Sequence, residues 1–194
     1  MTTHDPSAQD REDHTQHQCS DPSHRHLDEH EHQVHRLIHE GIDATEGGQL
    51  EQAQAAFDQA LTLAQTHALP VWEAQALFGQ GGVLDRLGRP TDAVPFFERS
   101  LALFAESGSV RMEVTLSIFL SNMLTKTGEP SRSLPILLHA KNQADQGHAQ
   151  GQLSPHEYEY GLYGLYRELG RAYQALGQLP PTGYATRYEQ ASRK

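Results

Sequence analysis

The chain has 194 residues, 37% apolar and 21% charged, with 15 Lys and Arg against 25 Asp and Glu, a formal net charge of −10. That balance offers no clustered cations to a phosphate backbone, so no nucleic-acid partner is expected. No run approaches the roughly 18 apolar residues of a membrane span, the first residues lack the apolar core of a signal peptide, and the single Cys19 cannot close an internal disulfide; a cytoplasmic protein held together by packing is expected.

Between Met1 and Leu27 the only apolar residues are Ala8 and Cys19. Nothing there offsets the entropy of ordering, so residues 1–27 are expected to form a disordered, His-rich tail. From Leu27 onward apolar residues recur at helical spacing, as in Ala53, Phe57, Ala60, Leu61 and Ala64, and no segment alternates with a period of two. The spacing predicts helices over 29–46, 49–66, 70–87, 90–106, 110–126, 130–146, 155–176 and 182–192. Their limits are set by Gly47-Gly48, by the glycine stops and proline starts of Leu87-Gly88-Arg89-Pro90 and Thr127-Gly128-Glu129-Pro130, and by Pro70. Ser107-Gly108-Ser109 and the stretch from Gly147 to Ser154 read as longer joints.

Gly48, Gly88 and Gly128 stand forty residues apart. Each is followed in register by a small, a large apolar and a small residue: Ala53, Phe57 and Ala60; Ala93, Phe97 and Ser100; Ser133, Leu137 and Ala140. A fixed period of this length marks a stacked array, in which each unit buries its apolar face only against its neighbours. The units run over about 28–69, 70–108, 109–150 and 151–194. Pro95 and Pro135 occupy equivalent places inside the second helices, where each removes one backbone hydrogen bond.

Tyr166, Leu169-Gly170, Tyr173 and Leu176-Gly177 keep the spacing of the tetratricopeptide signature, with Tyr in place of the leading Trp. Gly41, Gly81 and Gly170 sit seven residues before Gly48, Gly88 and Gly177, where that family places a small residue, and Ser121 takes the slot in the third unit. The chain therefore resembles the tetratricopeptide repeat (TPR) family over residues 28–194. Its forty-residue period is similar to the enlarged repeats of kinesin light chains and of bacterial peptide-sensing regulators. The resemblance implies an all-α solenoid, a right-handed superhelix of about seven to eight helices, acting as a non-enzymatic scaffold for a protein or peptide partner. It places His35, Ile38, Phe78, Arg86, Ile118, Asn122 and Lys126 on or near the concave groove lined by the first helix of each unit.

Nine of the 13 histidines precede residue 40. Neutral imidazole is a ligand for zinc, copper and nickel, and four-residue spacing puts two rings on one helical face. His24, His26, His30, His32, His35 and His39 therefore form the candidate metal set, and the alternative reading is a metal-binding accessory protein with His24 to His39 as its capture arm. No GxSxG, phosphate-cradling glycine loop or HExxH is present, so neither enzymatic activity nor an organic cofactor is expected.

Overall fold

The computed structural model describes residues 29–181. The tail expected over 1–27 and the helix expected over 182–192 lie outside the described residues. Within them, seven α-helices follow one another and no strand occurs: α1 Glu29–Glu46, α2 Leu50–Thr66, α3 Pro70–Arg86, α4 Pro90–Ser107, α5 Val110–Lys126, α6 Pro130–Ala149 and α7 Pro155–Ala175. Expected boundaries fall within one residue of these, except that α6 continues three residues further. Gly147 stays helical because it is pressed against α5: a Cβ there would stand 2.9 Å from Val110 Cγ1. The left-handed stop moves to Gly151, at φ +73°.

The forty-residue glycines are equivalent in conformation. Gly48, Gly88 and Gly128 take φ of +74°, +72° and +83°, and Gly177 joins them at +65°. Each is the left-handed residue of a Schellman turn, in which the following amide bonds the carbonyl five positions back. Gln49 N donates to Ala44 O at 2.8 Å, Arg89 N to Leu84 O at 2.9 Å, Glu129 N to Leu124 O at 2.7 Å and Gln178 N to Tyr173 O at 2.9 Å. Pro90 and Pro130 open the helices that follow Gly88 and Gly128, and Pro70 and Pro155 open α3 and α7, at first-turn positions where no amide donor is needed. Helices α4 and α6 run on through Pro95 and Pro135, which lie on the exposed side, as do Thr91 and Ser131, whose carbonyls lose a partner. On the exposed side a carbonyl without a helical partner is open to solvent, so the missing bond does not fall within the core.

The small and large positions form the interior in register. Ala53, Phe57, Ala60, Ala93, Phe97, Ser100, Ser133, Leu137 and Ala140 are all buried. Each ring needs a glycine opposite: a Cβ on Gly41 would lie 2.8 Å from Phe57, and one on Gly81 would lie 2.9 Å from Phe97. In the third unit Ser121 replaces the glycine and the smaller Leu137 replaces Phe, so the volume is kept. Helix α3 contributes Ala76 and Val83 to the layer shared with α1 and α2, and Leu77 and Leu84 to the layer shared with α4 and α5. It is consequently apolar over most of its circumference. Trp72 packs against the first of these layers.

Candidate functional site

The first helices of successive units, α1, α3, α5 and α7, line a face with two adjoining depressions that share Phe119. The first, of about 450 Å³, is bounded by Ile38, Ile42, Phe78 and Phe119 and floored at Gly79 and Gly82. Gly82 opens directly onto it, since a Cβ there would meet nothing within 4 Å. Ile42 is 40% exposed and Phe119 43% exposed, so the rim keeps apolar surface in water. The second depression, of about 330 Å³, runs between α5 and α7 past Ile118, Asn122, Tyr160, Tyr163 and Arg167.

Phe119 owes its position to the repeat. It stands forty residues after Gly79, and at that place α3 has no side chain because a Cβ would lie 2.2 Å from the Phe57 ring. In α5 the same place carries a ring that stacks on Phe97 at 6.1 Å and meets Phe78 edge-on at 5.1 Å. Backbone proximity follows the residue: α1 lies close to α3 and α5 to α7, whereas α3 and α5 stand further apart. Gly161 and Gly164 let α7 approach α5, and Ile118 Cδ1 would be 2.6 Å from a Cβ on Gly164.

Of the residues expected on the groove, Ile38, Phe78 and Arg86 line the first depression, and Ile118 and Asn122 the second. Ile38 is nearly all core, at 5% exposed. The Arg86 guanidinium donates to Thr45 O at 2.8 Å, a carbonyl in the last turn of α1 that also accepts from Gly48 N at 3.2 Å, so a cation meets the negative end of that helix. Lys126 lines neither depression, and its Nζ donates to both Asp85 oxygens, at 2.7 and 3.0 Å. The two cations therefore join neighbouring units at the edge of the face. Phe119, Arg167 and Glu168 are not singled out by the sequence. Glu168 is buried, and its Oε1 accepts from Arg167 at 3.1 Å and Arg171 at 2.9 Å, while Asn122 Nδ2 stands 3.5 Å from Oε2. Two guanidinium groups are what make a buried carboxylate tolerable there.

His35 also lies outside both depressions. It is exposed, its ring meets Trp72 edge-on at 5.5 Å, and its Nε2 is 3.0 Å from Nε2 of His39. Partial burial first, then the charges of His39 and His32, hold its pKa below the ordinary histidine value. His30 stacks on His67 at 3.5 Å, His32 is exposed, and His24 and His26 lie outside the described residues. Among the described residues no three His, Cys, Asp or Glu side chains gather to hold a metal ion, and no helix is long and apolar enough to cross a membrane.

No protein-family model and no curated protein matches the chain. Solved structures do. A crystal structure of nearly identical TPR-like repeats from Podosopora anserina, assigned there to a kinesin light chain candidate, superposes with a TM-score of 0.61 at 15% identity, over 82% of this chain and 74% of that one. A point-substituted form of the same repeats gives 0.62 at 15% identity, over 82% and 73%. Seven consecutively packed helices, four equivalent left-handed glycines and this likeness together make the chain a TPR-like helical-repeat protein in fold.

Proposed function

We propose that the protein is a scaffold that performs no chemistry itself and binds a peptide or a helix of another protein along the face of α1, α3, α5 and α7. The observation that carries this reading is the notch over Gly79 and Gly82, open to water and flanked by the exposed side chains of Ile42 and Phe119. A cleft rimmed by aliphatic and aromatic groups takes a bulky apolar side chain, the usual anchor of a peptide in a groove. The partner therefore presents at least one Leu, Phe or Trp to the notch, with the rest of its chain running toward Tyr160 and Arg167. TPR-like folds commonly serve protein interaction, which agrees with this use of the face.

Selection of a displayed random peptide library on the full chain tests it. Enriched peptides are expected to share a large apolar anchor, and Gly82→Leu, which fills the notch from a position with free space, should weaken them by roughly 100-fold or more, the loss of one hot spot. Peptides that bind Gly82→Leu as well as the wild type, with Phe119→Ala equally silent, would remove the groove from the account.

A further inference from the structure

Apart from the groove, α1 carries a second arrangement with its own chemistry. His35 and His39 lie one helical turn apart, both exposed, with Nε2 atoms 3.0 Å from each other. Two imidazole nitrogens bound cis to a square-planar ion, each at about 2.0 Å, stand about 2.8 Å apart, and on a tetrahedral ion about 3.3 Å. The observed separation is nearer the first. The pair is also braced: the His35 ring rests edge-on against Trp72 at 5.5 Å, and the Trp72 indole N–H donates to Oε1 of buried Glu31 at 3.3 Å, which fixes the indole on α1. We infer that His35 and His39 form a two-nitrogen chelate for copper(II), the two Nε2 atoms taking adjacent positions and water the rest. In the metal-free pair one ring N–H donates to the other ring's lone pair. Binding requires both rings as the Nδ1–H tautomer, so the ring that donated at Nε2 carries its proton at Nδ1 instead, the neutral pair releases no net proton, and only small rotations of two surface side chains are needed. Copper(II) is preferred over nickel(II) and zinc(II) by the stability order of divalent ions at nitrogen donors. The site stands whether or not the groove binds a peptide.

Trp72 is the only tryptophan of the chain, so a paramagnetic ion at this pair has a single reporter beside it. Copper(II) chloride titrated into the full chain should quench indole emission with one saturating equivalent. His35→Asn or His39→Asn should weaken that quenching roughly 100-fold, as expected when a chelate becomes a single donor. A variant with His4, His14, His17, His24 and His26 all changed to Asn should retain it. Electron paramagnetic resonance of the one-equivalent complex of this last variant should show coupling to two imidazole nitrogens. Both single changes are on the surface and far-ultraviolet circular dichroism should be unaltered. Quenching that survives both single substitutions, or that disappears in the tail variant, would overturn the assignment, as would a spectrum with only one coupled nitrogen.

Discussion

Gly79 and Gly82 lie three residues apart in one helix and face opposite circumstances. Replacing a helical Gly by Ala gains up to about 1 kcal/mol where the methyl group finds space. Gly82 has that space, because a Cβ would have no neighbour within 4 Å. At Gly79 the same methyl would stand 2.2, 2.4 and 2.5 Å from Cε1, Cζ and Cδ1 of Phe57, far inside the roughly 3.5 Å of carbon contact. The ring has nowhere to go. It is 2% exposed, and its tip already abuts Gly41, where a Cβ would lie 2.8 Å away. Overpacking of this kind costs about 1–3 kcal/mol, and a clash with ring atoms locked from two sides falls at the upper end. Subtracting the helix-propensity gain leaves Gly79→Ala destabilised by about 2 kcal/mol and Gly82→Ala stabilised by about 0.5–1 kcal/mol. Urea unfolding followed by circular dichroism at 222 nm measures both. Adding Phe57→Leu to Gly79→Ala should recover part of the loss, and the double-mutant cycle should show the coupling directly. Equal stability of Gly79→Ala and Gly82→Ala, or zero coupling to Phe57, would refute the argument that this ring dictates the glycine.

Ala68 closes α2 at φ +51°, forty residues before Gly108, which has φ +71° at the next such joint. Ala68→Gly should therefore stabilise the protein by about 0.5–1 kcal/mol in the same urea assay, the left-handed strain of a non-glycine residue less the added chain entropy. Ser154 accepts from Glu157 N in a capping box at the start of α7, so Ser154→Ala should cost about 1 kcal/mol. The Ser154 hydroxyl, then its backbone N–H, hold the Glu157 carboxyl below its ordinary value. A depressed carboxyl stabilises above its unfolded pKa and loses that contribution as pH falls through its folded pKa, so Ser154→Ala should also raise the Glu157 midpoint seen by carboxyl-carbon NMR. His35 shifts stability in the same direction with pH, but here it is the charged form that the fold disfavours. Its lowered pKa means that the unfolded chain binds the proton more readily, so this group disfavours folding increasingly as pH drops below about 6.5. In imidazole NMR His35 should titrate below that value, and His39→Asn should raise its midpoint without fully restoring it, because burial is the larger cause.

The parts of the fold legible in the sequence are those decided within one turn or one hairpin. Gly48, Gly88 and Gly128 announce themselves because a left-handed residue is cheap only for glycine, and Phe57 opposite Gly41 follows from the size rule of close-packed helices. The end of α6 was not legible, since Gly147 reads locally as a stop and is helical only because Val110, thirty-seven residues away, presses on it. The same holds at the candidate site. Ile38 and Phe78 could be placed by register, but the pairing of Lys126 with Asp85, and of Glu168 with Arg167 and Arg171, depends on how far long side chains reach around a helix. Phe119 was within reach of sequence reasoning: a ring forty residues after a glycine departs from the register, and that departure was the signal.

Departures of this kind converge on a single rung of the array. His39, Gly79, Phe119 and Glu168 each lie nine residues before a left-handed glycine, namely Gly48, Gly88, Gly128 and Gly177. The rung faces the preceding unit, so its residue answers to that neighbour and not to its own hairpin. Gly79 leaves room for Phe57, Phe119 stacks on Phe97, and Glu168 is met by Asn122. His39 belongs to the first described unit, has no preceding unit among the described residues to meet, and points its ring at His35. Core positions such as Ala53 and Ala93 are held to small size by contacts on every side, but a residue on this rung can change from no side chain to a ring to a carboxylate if the facing unit accommodates it. The identical hairpins supply the stack, and the variable rung supplies the notch, the exposed ring and the histidine pair.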